Sequence, residues 1–292
     1  MISVTKNHKE PPGILISDRC TRRIEQALVE KGKHELCRNC CGVRVRNALK
    51  ELYHNKCAYC ETDAGAGAVL RIEHYRPRKG IKGEYHSGYY WLTYEWSNLL
   101  PACEKCNSSK SNRFPLEPTG KRAAVPVLIE GKLSRADCLA DSGVLRAEKP
   151  LMLHPEIDEP ERDMIFLPDG TVRGRADRDW DRGKRTIEVC RLDRVELVLA
   201  RKKVVDRFLA RIRELLDDLV EQRGKKEFSR RFDRFLIKLL KAHEPHRPYS
   251  RLGWFMFQKF ELFFVKQLGK KGQRVVRKAY ESFRDRYKTS WK

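Results

Sequence analysis

The chain has no apolar run approaching the roughly 20 residues that a membrane-crossing helix requires, so no helical span is expected. Its first ten residues, Met1–Glu10, are polar and charged rather than basic and then apolar. No secretion signal is read there, and a cytoplasmic location is expected. No internal repeat is visible. Acidic residues are in short supply: 40 Asp and Glu face 62 Lys and Arg, leaving a net charge of +22 and a pI near 9.7. That balance favours a polyanionic partner, nucleic acid first and an anionic membrane surface second. Hydrophobic residues at 40% and charged residues at 35% describe a soluble, unusually polar globular protein. Its 292 residues suffice for one large or two smaller domains.

Cysteine is not scarce. Ten are present, and in a reducing compartment they read as metal ligands or buried thiols rather than as a disulfide framework. Four form two C-x2-C pairs, Cys57/Cys60 and Cys103/Cys106, separated by 42 residues. Tetrahedral zinc needs four thiolates converging on one point, and two such knuckles supply them. The gap is longer than a zinc ribbon needs, so the knuckles are expected to clamp an insert. A further cluster, Cys37, Cys40 and Cys41, would need extra ligands for a second metal, with Cys20, His34 and His54 as candidates. Spare or buried thiols are the commoner outcome for such a cluster.

The insert carries chemistry. Val69–Ile72 reads as a short strand ending at Glu73-His74, Asn98–Pro101 as a second strand, and Glu104–Asn112 as a helix with the second knuckle in its first turn. Hydrolysis of a phosphodiester needs an activated water, neutralisation at the phosphate and a stabilised leaving oxygen. His74 is the natural water activator near neutral pH. Glu73 and the Asn107 amide are hard oxygen ligands suited to Mg2+ or Mn2+. Asn98 is placed to hold the His74 ring through one of its oxygens. Arg76 and Arg78, just beyond the base, and Lys110 on the helix are candidate phosphate contacts.

With I-E-H-Y-R-P at Ile72–Pro77, W-S-N-L-L-P-A-C-E-K-C-N at Trp96–Asn107 and the first C-x2-C pair in order, the stretch resembles the HNH endonuclease superfamily in its four-cysteine form. The resemblance implies a general base at His74, a central asparagine at Asn98 and a catalytic metal held by Glu73 and Asn107. The carboxylate is Glu where the superfamily often has Asp. Further similarity, through L-M-L-H-P-E-I-D-E-P-E-R at Leu151–Arg162 and T-I-E-V-C-R-L-D-R at Thr186–Arg194, points to the PtuB-like HNH proteins of retron and Septu anti-phage systems. That kinship implies a defence nuclease acting beside an ABC/SMC-like ATPase, a PtuA-like partner.

The expected fold is α+β, a ββα-metal (HNH) core with a four-cysteine zinc site inside a mainly helical protein. Four segments are expected: a basic N-terminal segment at 1–42, the nuclease core at 43–118, an extension at 119–222 and a basic, aromatic-rich helical region at 223–292. Met164–Leu167 and Thr171–Arg173 read as a hairpin about Asp169-Gly170. Asp193 and Glu196 read as a capping box starting a helix that runs to Gln222. The last segment holds 21 Lys and Arg against 6 Asp and Glu, +15 of the total. Its aromatics fall at helical spacing and are expected in a core, with the basic residues available to nucleic acid. DNA is the expected substrate. The competing expectations are an RNA nuclease with a transfer-RNA-type substrate and a non-catalytic zinc-stabilised nucleic-acid-binding adaptor.

Overall fold

Short antiparallel pairing beside the two cysteine pairs organises the first part of the chain. The computed structural model describes residues 1–31, 42–65, 69–175, 181–221 and 224–287. Cys37, Cys40 and Cys41, and with them the second metal cluster, lie outside the described residues. The chain divides into two units, one made of Met1–Met164 with Arg173–Leu192 and the other of Ile165–Val172 with Asp193–Lys292.

In the first unit α1 (Asp18–Val29) buries Cys20, Ile24, Ala27 and Leu28. Next, α2 (Val43–Leu52) turns Val45 and Leu49 inward, the i,i+4 stripe legible in the sequence, and leads to the first knuckle. Strand β1 (Arg71–His74) pairs antiparallel with β2 (Leu99–Ala102), setting Glu73 opposite Leu100 and His74 opposite Leu99. β2 reads Leu-Leu-Pro-Ala and is buried throughout. One residue later α3 (Glu104–Lys110) begins, with Cys103 at its N-cap. Strand, strand and helix thus follow in the expected order. Between the strands, Tyr89, Tyr90, Trp91, Leu92, Tyr94 and Trp96 are all buried.

The remainder of this unit is short elements. α4 (Gly143–Arg146) starts at Ser142, whose side chain accepts from Leu145 N, and α5 (Pro160–Asp163) starts on a proline at its first position, where no N–H is missed. The expected hairpin is β3 (Met164–Phe166) and β4 (Val172–Gly174), turned at Gly170 with φ +83°, and its Ile165–Val172 stretch is counted with the second unit. α6 (Arg182–Cys190) is capped by Asp181, which accepts from Lys184 N at 2.7 Å, and packs against α3 and α5. A Cβ at Gly183 would fall 1.8 Å from Asp163 O, so only glycine permits that approach.

Two sequence expectations change here. Residues 1–31, expected within a basic N-terminal segment at 1–42, are counted with the first unit. Lys6 is buried and donates to Trp96 O at 2.8 Å and Leu99 O at 2.9 Å while pairing with Glu156 at 2.8 Å. Glu156 also takes a hydrogen bond from Tyr53 at 2.6 Å and contacts His8 at 2.8 Å. A lysine among hydrophobic neighbours needs a carboxylate and carbonyls to be buried, and the His154-Pro155-Glu156 step supplies the carboxylate. The second change is the boundary, which falls at Leu192/Asp193 rather than at residue 222.

The second unit is helical. α7 (Val195–Val220) turns Leu197, Val205, Leu209, Ile212 and Leu215 inward. Its N-cap is Arg194, whose side chain makes no capping hydrogen bond, one residue beyond the Asp193 expected to open the helix. α8 (Lys225–Lys241) packs against α7 and buries Phe228, Phe232, Phe235, Leu236, Leu239 and Leu240. α9 (Ser250–Gln258), α10 (Phe260–Phe263) and α11 (Lys270–Tyr287) complete the unit. The Phe260 and Tyr280 rings stack at 4.2 Å and 8°. These aromatics form a core rather than a base-stacking platform.

Candidate active site

The two knuckles meet because the backbone sews the first onto the strand that leads to the second. Ala58 N donates to Pro101 O at 2.8 Å, which sets the Cys57–Cys60 turn against β2, and α3 then carries Cys103 and Cys106. The sulfurs of Cys57, Cys60, Cys103 and Cys106 all lie within 4.8 Å of one another, and the Cys60 and Cys103 sulfurs are 3.7 Å apart. Four thiolates at zinc–sulfur distances of about 2.3 Å in a tetrahedron sit about 3.8 Å apart, so the residues fit that ion. Three of the four are buried and Cys103 is half-buried. Hydrogen bonds from neighbouring thiols hold Cys60 well below the ordinary thiol range and bring Cys103 down to about 7. Burial pushes Cys57 up, and the neighbouring sulfurs push Cys106 up. Four thiols this close do not all ionise without a cation among them.

His74 closes β1 half-buried, and its Nε2 lies 3.1 Å from Thr93 O. A carbonyl oxygen only accepts, so Nε2 carries the proton and Nδ1 keeps its lone pair. Burial lowers the His74 pKa to about 4, and the nearby charges of Arg78 and Lys110 add to the effect. The ring is therefore neutral at neutral pH and able to accept a proton.

Asn98 does not hold that ring. Its Oδ1 accepts from Arg76 N at 2.8 Å, its Nδ2 donates to Arg76 O at 3.1 Å and Leu92 O at 3.2 Å, and its backbone O accepts from Tyr75 N at 2.9 Å. It fixes the segment leaving His74 and the turn that presents Thr93. Its action on the ring is one step removed.

Glu73 is buried, and Lys110 Nζ lies 2.6 Å from its Oε1 and 2.8 Å from His74 O. Burial raises the Glu73 pKa against the opposing pull of Lys110. Lys110 is fully buried and so is not a surface phosphate contact. Asn107 stands three residues before Lys110 on the helix face that meets β1, half-buried. A carboxylate and an amide oxygen suit a hard divalent cation. Here the cation would share Glu73 with the Lys110 ammonium, leaving Oε2 as the oxygen without a hydrogen-bond partner among the described residues.

Arg76 is likewise inside, 1% exposed, with Nε 2.7 Å from Glu148 and Nη2 2.7 Å from Leu145 O. A side chain so enclosed does not reach a phosphate on the surface. Arg78 is half-buried and close enough to His74 to act on its charge, so it remains the candidate phosphate contact of the three. His86 accepts from Gly88 N at 3.0 Å and serves its loop. Thr93 and Glu148 were not legible as site residues, because one acts through a backbone carbonyl and the other lies far along the chain from Arg76.

No family model matches the chain. It is 34% identical over 181 residues to a Septu protein PtuB of Bacillus mycoides (strain KBAB4), covering 60% of this chain and 55% of that protein. A Septu protein PtuA of the same strain is 32% identical over 165 residues, 55% of this chain and 20% of that protein. A Septu protein PtuB of Bacillus thuringiensis is 36% identical over 67 residues, 23% of each. The chain is homologous to Septu protein PtuB over the matched region, which bears out the PtuB-like resemblance. It spans about half the length of the first of these relatives and about a fifth of the other two.

Proposed function

We propose that the protein is a metal-dependent HNH-type endonuclease that hydrolyses phosphodiester bonds of nucleic acid, DNA ahead of RNA, as the effector of a Septu-type anti-phage defence. The observation that carries the reading is the fixed tautomer of His74: Thr93 O occupies Nε2, and Nδ1 is left as a base on a strand end beside the four-cysteine cluster. His74 takes the proton of the attacking water at Nδ1. A phosphate close to the ring stabilises the imidazolium and raises the low pKa toward the working pH, where general-base catalysis is most efficient. Arg78 faces the same charge. Lys110 holds Glu73 and the His74 backbone in place. A divalent cation such as Mg2+ or Mn2+, held by Glu73 and Asn107, would neutralise charge at the phosphate and the leaving oxygen. Zinc at the four cysteines is structural.

The exposed Lys and Arg of the second unit, among them Arg230, Arg234 and Lys238 on α8, supply a surface that attracts the backbone of nucleic acid. A PtuA-like ATPase of the ABC/SMC-like type is the proposed partner, on the strength of homology to Septu proteins. Incubating the protein with plasmid, single-stranded DNA and total RNA, in Mg2+ or in EDTA, tests the reading. Mg2+-dependent cleavage of DNA is expected. Binding without cleavage, indifferent to Mg2+ and still found when the ATPase is supplied, would favour the adaptor reading. Cleavage confined to RNA would move the substrate.

A further inference from the structure

Past Arg78 the chain makes a loop, residues 79–88, before entering the buried aromatic run at Tyr89. The loop is stitched closed on itself. Gly80 N donates to Ser87 O at 2.9 Å, Glu84 N to Ile81 O at 3.1 Å within an isolated bridge, and Gly88 N to His86 Nδ1 at 3.0 Å. A Cβ at Gly88, where φ is +85°, would fall 2.6 Å from Gly80 N, so the two ends of the loop meet only with glycine there. The loop is also fastened to its surroundings. Ile81 is buried, Lys82 N donates to Asn112 O at 3.1 Å just beyond α3, and Glu84 takes two hydrogen bonds from Arg122, at 2.9 and 2.5 Å. Its root is Arg78, whose charge acts on His74, and its anchor at Asn112 lies two residues past Lys110, whose ammonium is 2.8 Å from His74 O. The loop is therefore mounted on the two segments that hold the candidate base.

Tyr85 stands out of this frame fully exposed, and no hydrogen bond or ring contact engages its side chain among the described residues. A ring left wholly in water adds no burial to the fold, yet the backbone that carries it is fastened at several points. Its charged neighbours are of one sign. Lys79 and Lys82 are exposed and make no ion pair among the described residues, and the loop's one carboxylate, Glu84, is held by Arg122. We propose, on the basis of the nuclease reading, that this loop is a stacking platform for the substrate. Tyr85 stacks on an unpaired nucleobase next to the phosphate at His74, while Lys79 and Lys82 meet the phosphates that flank it. The lysines alone would suit any anion, and the ring restricts the partner to one that carries flat π faces between its charges. Inside a duplex both faces of a base are covered by its neighbours, so the substrate class is single-stranded or locally unpaired nucleic acid.

Fluorescence anisotropy with one labelled DNA oligonucleotide, offered as a single strand and as a duplex, tests the proposal. The full chain carries His74→Ala throughout, so that binding is read without cleavage. Adding Tyr85→Ala is expected to weaken single-strand binding about ten-fold and duplex binding far less, whereas Tyr85→Phe keeps the ring and the affinity. Since Tyr85 buries nothing, the variants should melt alike. An abasic nucleotide walked along the strand should cost affinity at one position when Tyr85 is present and little at that position in Tyr85→Ala, because the two losses remove one contact. Lys79→Ala/Lys82→Ala should reduce the slope of log affinity against log salt by about 1.4 on the single strand, a slope that Tyr85→Ala leaves alone. Tyr85-dependent binding by a protein whose His74 form cleaves nothing would leave the platform standing and remove the nuclease reading. Cleavage by the His74 form, with equal single-strand affinity of Tyr85→Ala and its parent, would overturn the platform and keep the nuclease. Equal losses on single strand and duplex would overturn it as well.

Discussion

Lys110 Nζ sits 2.6 Å from Glu73 Oε1, and both groups are buried, so helix α3 and strand β1 are joined by an ion pair shielded from water. Removing one member leaves the other charged and uncompensated, a loss of about 3–5 kcal/mol for buried pairs. Lys110→Met is therefore expected to lower stability by that order in urea denaturation. Lys110→Met/Glu73→Gln should recover much of the loss. If the two single losses simply added in the double variant, the pair would not be coupled as the geometry requires.

Asn98 makes three side-chain hydrogen bonds, to Arg76 N, Arg76 O and Leu92 O. Asn98→Ala would free both the segment after His74 and the turn carrying Thr93. Misplacement of a base by about 1 Å costs on the order of 10²-fold in rate. The expected result is a loss of that size in kcat with zinc content kept. A variant with parental kcat would show that the ring is held without Asn98.

His154, buried with Nε2 3.0 Å from Ser97 O, has its pKa lowered to about 4, chiefly by burial. The unfolded chain takes up this proton first, near 6.5, so stability from the neutral ring is fully present above that pH and is lost as pH falls toward 4. The slope from this residue is at most about 1.4 kcal/mol per pH unit. Stability of the parent relative to His154→Gln, measured by urea denaturation at pH 7.5 and 5, should therefore shrink on acidification. A difference that stays constant would place the His154 proton elsewhere.

Zinc fits a cluster whose sulfurs already lie within 4.8 Å of one another. Chelation, or Cys103→Ser, is expected to remove the metal and melt the first unit in one step, because metal binding and folding are coupled at such sites. Metal content by atomic emission and a thermal melt on the same sample would read both. Full zinc loss with an unchanged melt would assign the thiols no structural part.

The order strand, strand, helix, the two cysteine pairs and the place of His74 at a strand end were legible in sequence because each is local: alternation, a C-x2-C spacing, a helix beginning at a knuckle. What was hidden is what the fold brings together from afar. Lys110 and Arg76 looked like exposed phosphate contacts because Lys and Arg are rarely buried. Their partners, Glu73 across the sheet–helix contact and Glu148 some seventy residues on, turn both inward. Lys6 counted only as part of a basic segment, and the carboxylate that buries it, Glu156, stands in a motif whose purpose no local pattern reveals. Asp193 marked the start of the long helix to within one residue, for the helix begins at Val195 with Arg194 as its cap.

In the proposed mechanism His74 is the base. Single-turnover cleavage of DNA by the parent and by His74→Ala, each with four-cysteine zinc content and melting temperature verified, tests it most directly. The expected result is cleavage reduced by at least about 10²–10⁴-fold, the usual contribution of a general base, with zinc and melting unchanged. Cleavage at the parental rate by the intact, zinc-loaded variant would contradict it.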